Sequence, residues 1–431
     1  MLRNGPGMFK IGDTEYKHWF DGLAYIQRYH FADGKMYYSA RFLESEQYKE
    51  SMKAQRIIYT AFGTRSFPDP CKKLYGRYVN ICDLLKITLH TYTAHCHSDT
   101  DGNIWNIGSQ FGPTSNYIFA KTVNPLHIKG SSNSHSMEGT ELLGMIPATD
   151  PLSPSYYHSF AVTEDFFVLF ETPERIDVCK LVGRDTSKMS LNECMFWDEN
   201  AGVDVIIFDR ITRKKVDRKV TSDAFFTFHH ANAYQKDGYL IIDYCKIISP
   251  GNFDDLLLEH MRDGTFRTRN PNLAPYLHRM IVPMQINENS KPGDDLLTCC
   301  SFANGSFEFP RYCYDLNMKD YRYVYGACIL DSKLFKNGVV KADLRTGTSK
   351  VWLKDAEDQL CAEPILVNRP GYAKEDEGVL IVPVITTRDN DHPYVVILDA
   401  ETMEEQARFT IPQSRIPFGF HAHYTPSKDC R

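Results

Sequence analysis

Four histidines carry the strongest chemical signal in this sequence. They are His95 in Tyr92-Thr93-Ala94-His95, His158 in Tyr156-Tyr157-His158-Ser159-Phe160, His229 in Phe226-Thr227-Phe228-His229, and His421 in Phe418-Gly419-Phe420-His421. Each lies in or beside a strand-like run. Their separations are 63, 71 and 192 residues, the last being three steps of 64. Near-constant spacing is expected when each copy of a repeated β-unit carries a histidine at the same point. Inner strands that converge on one axis would bring such residues together. Imidazole suits zinc, copper, iron and nickel. A structural zinc usually recruits cysteine, and the 12 cysteines include no CxxC pair. Four neutral imidazoles leave the full 2+ charge on a metal, and open coordination positions would suit it to binding oxygen.

Any one histidine among aromatics is more often a satisfied structural residue than a ligand. The spacing therefore argues only for the set. It does not choose between His95 and His97, or between His421 and His423, because residues two apart on a strand share a face. His229 and His230 point opposite ways, so at most one faces the axis. A ligating histidine normally donates its second ring N–H to a carboxylate or carbonyl. Two acids in apolar runs could accept it: Glu308 in Phe307-Glu308-Phe309-Pro310 and Glu363 in Ala362-Glu363-Pro364-Ile365. A carboxylate between phenylalanines is costly to bury unpaired. The alternative is a pair of edge-strand acids facing solvent.

The elements that must position these residues read as β. Runs such as 166–170, 239–244 and 378–385 are short, rich in β-branched and aromatic residues, and bounded by turn formers. Hairpin signals occur at Asp33-Gly34, Asp101-Gly102, Asp237-Gly238 and Asn337-Gly338. Only two segments look helical, from Ser45, a candidate N-cap, to Arg56 and from Asp254 to Arg262. A weak repeat of strand, Asp, polar turn and strand starts at Val205, Val339 and Val395, with its aspartates at Asp209, Asp343 and Asp399. That is the outer hairpin of a propeller blade; three unrelated hairpins are the plainer alternative.

Composition narrows the class. With 431 residues, 42% of them hydrophobic, the chain can bury a large core. No apolar run is long enough to span a membrane, and no signal peptide or Arg-rich amphipathic leader is visible. A net charge of −6 without a basic stripe argues against nucleic acid. Scattered cysteines without a secretory signal suggest reduced thiols in the cytosol.

Ordered motifs along nearly the whole chain resemble the animal carotenoid oxygenase family, which includes the β-carotene-cleaving enzymes and the retinoid isomerohydrolase of the eye. The matching segments include Arg3-Asn4-Gly5-Pro6-Gly7, His18-Trp19-Phe20-Asp21-Gly22, Phe67-Pro68-Asp69-Pro70-Cys71-Lys72, Thr93-Ala94-His95, Pro154-Ser155-Tyr156-Tyr157-His158-Ser159-Phe160, Phe228-His229-His230-Ala231-Asn232-Ala233-Tyr234, Phe307-Glu308-Phe309-Pro310, Glu363-Pro364 and Gly419-Phe420-His421. The resemblance implies an all-β, seven-bladed propeller over residues 1–431 as a single domain, with a loop and helix cap over the metal face. It implies Fe(2+) held by the positions of His95, His158, His229 and His421, leaving His97, His230 and His423 as non-ligands. Glu308 and Glu363 match two of the family's three carboxylates behind the ligands. Phe160 and the other aromatics beside the ligands would line an apolar tunnel for a polyene.

Two departures from the family pattern stand out. The family chain normally begins well upstream of Arg3. The family also has a long stretch between the Pro68-Asp69-Pro70-Cys71 motif and the strand leading to His95. Here Tyr78 and Val79 abut across that gap. The missing piece would carry the third carboxylate and much of one blade, so one blade is expected to be incomplete. Unpaired strand edges should then weaken the fold.

The activity the resemblance implies is dioxygenase cleavage of a conjugated C=C bond in a carotenoid or apocarotenoid, with O2, to aldehydes or ketones. Two readings compete with it: a retinyl-ester isomerohydrolase on the same fold, and an inactive propeller kept for binding. The expected location is the cytoplasm with peripheral membrane contact through residues 67–78; a mitochondrial location stays open because the N-terminal segment looks short.

Overall fold

Strand-like runs do become strands, and mostly buried ones. A computed structural model of the protein describes residues 1–66, 89–124, 139–181, 189–248, 253–263, 274–284, 298–301, 306–327, 337–388, 391–413 and 415–426. Phe166–Glu171, Tyr239–Lys246 and Gly378–Thr386 are strands, covered on both faces over most of their length. Asp33-Gly34 and Asp237-Gly238 close two-residue hairpins. Their φ values of 51°, 71°, 52° and 82° belong to the turn whose twist matches the flanking strands. Asn337-Gly338 is no turn; it begins the strand Asn337–Asp343. The first helical segment is the α-helix Glu46–Ala54, where the Ser45 side chain caps Tyr48 N–H at 3.1 Å. The second breaks into a 3-10 turn, Asp254–Leu256, and a short helix, Leu258–Asp263.

All three repeats are outer hairpins. Asp209, Asp343 and Asp399 each end the third strand of a sheet. Each carboxylate accepts backbone N–H groups of its own turn: Ile211 and Thr212, Arg345 and Thr346, Glu401 and Thr402. The aspartate thus satisfies donors that the turn would leave unpaired.

Among the described residues there are six sheets of four or five strands, besides two small ribbons. The first joins Leu2–Met8, Leu23–Ala32 and Lys35–Phe42 to the strand His421–His423. Five more follow in chain order, built around Ile104–Phe111, Phe166–Glu171, Tyr239–Lys246, Tyr323–Ala327 and Gly378–Thr386. Each packs on the next through its own apolar cluster. Ile107 and Phe119 meet Phe167 and Phe208; Val168 and Phe170 meet Ile242 and Tyr244; Tyr234 and Leu277 meet Val324 and Val340. Tyr325 and Trp352 meet Leu380 and Val396, and Ile381 and Val395 meet Tyr29 and Ala422. This succession of packed sheets agrees with the all-β expectation. Among the described residues no buried cluster joins the first sheet to the second. The Tyr78–Val79 junction falls between those two sheets and lies outside the described residues, as do residues 67–78.

Pairing of chain start with chain end is held by close backbone contact. Leu2, Arg3 and Asn4 pair with His423, Ala422 and His421. A Cβ on Gly5 would stand 2.6 Å from Gly419 Cα, and one on Gly419 would stand 2.6 Å from Arg3 Cγ. Among the described residues no helix is long and apolar enough to cross a membrane.

Candidate metal centre

One edge strand of each sheet faces a common centre. The residue at its start, or up to three positions before it, is in turn His95, His158, His229, Glu308, Glu363 and His421. This explains the long step from His229 to His421. The two intervening sheets carry carboxylates at the equivalent point.

Four imidazoles converge there. Ring centroids lie 4.7 Å apart for His95–His158, 4.8 Å for His95–His229, 5.3 Å for His158–His229, 4.7 Å for His95–His421 and 5.0 Å for His229–His421. One ring nitrogen from each of His95, His158 and His229 lies within 4.8 Å of the others. Their histidine neighbours point elsewhere. His97 Nε2 bonds Phe160 O at 3.0 Å, and His230 Nδ1 bonds Ser159 Oγ at 2.8 Å. His423 is exposed.

Both carboxylates are buried, at 4% and 2% exposure, so they do not face solvent. Glu308 Oε2 lies 2.5 Å from His229 Nδ1 and accepts Phe309 N–H at 2.7 Å. Phe309 takes φ 54° to make that turn. Glu363 Oε1 lies 3.1 Å from His421 Nδ1 and accepts Arg311 Nε–H at 2.9 Å, while its Oε2 accepts Ala422 N–H at 2.6 Å. Their electrostatics differ. Burial pushes the Glu308 carboxyl up to about 8, against the Phe309 N–H. Burial would raise Glu363 as well, but Arg311 and His421 hold it well below the carboxylate range. Burial, then mutual repulsion, drives His95, His158 and His229 well below the usual imidazole value, so all three are neutral.

These residues fit a divalent transition metal. His229 Nε2 is buried without a hydrogen-bond partner. With Nδ1–H committed to Glu308, that nitrogen offers a lone pair to the centre of the cluster. A set of neutral imidazoles backed by carboxylates is a nitrogen donor set of the kind that iron, zinc and copper accept.

Three cavities border the cluster. One, of about 440 Å³, is apolar, with walls of Trp19, Phe20, Phe228, Phe309 and Phe420. A second, of about 560 Å³, is mixed in character, and Arg311, Tyr312, Asp315 and His423 are among the residues that line it; a third, of about 350 Å³, reaches His95 and His158 past Tyr92 and Tyr156. Phe160 is fully buried against Phe167 and His97 and borders the cavity of about 560 Å³ rather than the one of about 440 Å³. Phe228 and Phe420, adjacent to ligand-position histidines, do line the apolar wall. Sequence reasoning missed Trp19, Phe20 and Phe309 as wall residues, although all three stand in the quoted motifs. It also missed Arg3, Tyr156 and Arg311, whose roles depend on contacts across sheets or on ring geometry.

A family model described as retinal pigment epithelial membrane protein matches residues 1–81 and 76–426. The chain belongs to that family. The two matched pieces meet around the Tyr78–Val79 junction. Beta,beta-carotene 15,15'-dioxygenase of Homo sapiens is 30% identical over 478 residues, covering 95% of this chain and 87% of that protein. The mitochondrial carotenoid-cleaving dioxygenase of Homo sapiens is 27% identical, covering 99% of this chain and 86% of that protein. The 478-residue alignment exceeds the 431 residues of this chain, so that relative carries internal residues without counterparts here. Cobalt-substituted apocarotenoid oxygenase of Synechocystis shares the family fold at a TM-score of 0.72 and 21% identity, covering 99% of this chain and 92% of that one.

Proposed function

We propose that this protein is a non-haem iron(II) dioxygenase that cleaves one conjugated C=C bond of a carotenoid or apocarotenoid with O2. The bond and both oxygen atoms become two carbonyl groups. The observation that carries the reading is a cluster of four imidazoles set at the wall of an apolar cavity. His95, His158, His229 and His421 would hold the iron, and iron(II) would supply O2 binding and activation. Glu308 and Glu363 hold the Nδ1 protons of His229 and His421, which leaves each Nε2 free to ligate.

Trp19, Phe20, Phe228, Phe309 and Phe420 give a polyene an apolar bed and exclude water from it. Alkenes along a polyene are chemically alike, so the depth to which the chain slides selects the bond cleaved. Such a substrate partitions into bilayers, which supports peripheral membrane contact at the cavity mouth. The fold implied is a seven-bladed propeller over residues 1–431 with one blade incomplete and a cap over the metal face. The family match and the succession of six packed sheets support it.

The test is product analysis. Iron-loaded protein incubated with β-carotene or an apocarotenal should yield shorter aldehydes, with label from 18O2 in the new carbonyls. Retinol from a retinyl ester, with no aldehyde and no O2 consumed, would replace this reading with isomerohydrolysis. Iron bound without either product would leave a binding protein.

A further inference from the structure

His158 presents a problem that His229 and His421 do not. The carboxylate behind His229 comes from the sheet that follows it, and the carboxylate behind His421 from the sheet that precedes it. The sheet of His158 lies between those of His95 and His229. At the equivalent point, both neighbours offer an imidazole instead of an acid. The ring must find its acceptor on its own segment.

It finds a phenol. Tyr156 Oη lies 3.1 Å from His158 Nδ1. We propose that Tyr156 is the positioning residue that orients His158, taking the place a carboxylate fills behind His229 and His421. This inference rests on the metal reading above.

The pair is built rather than incidental. Residues two apart on extended chain share a side. Tyr156 N–H donates to Glu174 O at 2.8 Å, and its carbonyl accepts Ser155 Oγ–H at 3.2 Å. Its ring packs against Phe253 at 5.0 Å and against Phe62 and Phe226 at 6.2 Å. His158 O accepts from the Thr93 hydroxyl. With both backbones and the phenol ring held, the hydroxyl has little freedom.

The direction of the bond decides its use. If Tyr156 donated to Nδ1, Nε2 would carry the proton and could not bind a metal. When the ring donates Nδ1–H to the phenol oxygen, the Nε2 lone pair is free. Metal binding selects the second arrangement. A neutral acceptor raises ring basicity less than a carboxylate does. Of the four imidazoles, His229 and His421 are therefore backed by acids and His158 by a weaker, neutral acceptor.

Cobalt(II) titration of metal-free protein, by chelator competition and by visible absorption, tests this. Tyr156→Phe keeps the ring and removes the acceptor. It should weaken cobalt binding by about 10-fold, the low end of the range for outer-sphere partners. The visible band should change while the urea midpoint of metal-free protein does not. The control is Tyr325→Phe, which loses a buried hydroxyl bond to Ala400 O and lines none of the three cavities at the cluster; it should lower the midpoint and leave cobalt affinity alone. Parent-like affinity and spectrum in Tyr156→Phe would overturn the proposal. So would an affinity loss that merely follows a fallen midpoint. A parent chain that binds no cobalt would overturn the metal reading, and this inference with it.

Discussion

Arg3 offers the most direct test of how chain closure supports the metal centre. Its side chain is 1% exposed. Nε and Nη2 donate to Gly419 O at 3.0 and 2.7 Å, and Nη1 donates to Glu363 O at 3.1 Å. One guanidinium thus ties the first strand to the segment bearing His421 and to the backbone of the carboxylate behind it. Arg3→Met keeps much of the volume and removes every donor. Two buried carbonyls then lose their partner, at about 1–3 kcal/mol each, so the expected loss is roughly 2–6 kcal/mol. Against a typical stability of about 5–15 kcal/mol, that is a large fraction. Urea unfolding of metal-free protein measures it. Cobalt titration of the same variant should show weaker binding, because His421 is no longer held in register. Arg3→Lys should fall between parent and Arg3→Met, since one ammonium cannot reproduce the planar fork. If Arg3→Met unfolds within about 1 kcal/mol of the parent, the carbonyls have found other partners and the closure argument fails.

Three further outcomes follow from the same geometry. Glu308→Gln should lower metal affinity by roughly 10–100-fold, and an unchanged dissociation constant would remove Glu308 from the centre. His158→Ala should abolish stoichiometric metal binding and His97→Ala should not; elemental analysis of both purified variants decides whether the cluster has been assigned to the correct histidines. Glu174, 5% exposed, is raised to about 7 by burial and then by Asp254. Its folded state favours the protonated form, so its contribution is full below the unfolded value near 4.5, declines as pH rises, and levels off above about 7. Glu174→Gln should remove up to roughly 3 kcal/mol of that decline, at about 1.4 kcal/mol per pH unit. Parallel stability–pH curves for parent and variant would show that Glu174 is not the group responsible.

Much of the fold was legible because its signals are local. Asp33-Gly34 and Asp237-Gly238 dictate their hairpins through backbone sterics alone, and Asp209, Asp343 and Asp399 satisfy turn donors only two or three residues away. Asn337-Gly338 carries the same dipeptide signal yet starts a strand, because pairing with neighbouring strands outweighed local turn preference. Phe160, two residues from His158, borders the cavity of about 560 Å³ and also packs on Phe167, a double role that only the tertiary structure shows.

By itself the sequence determined the family, the β-architecture and the four histidines at the centre, since type, order and spacing are properties of one dimension. It left the choice between His95 and His97 open on spacing alone, because neighbours two apart on a strand are equivalent until something binds one of them. Tertiary structure decided that choice by giving His97 to Phe160 O and His230 to Ser159. It also decided which acceptor stands behind which ring. Glu308, Glu363, Tyr156 and Arg3 each act on a histidine through distance and direction; Glu308 and Glu363 reach it from another sheet, and Arg3 from the paired strand at the other end of the chain. Such contacts form only when the sheets assemble around a common centre, and no spacing along the chain encodes the angle at which they meet.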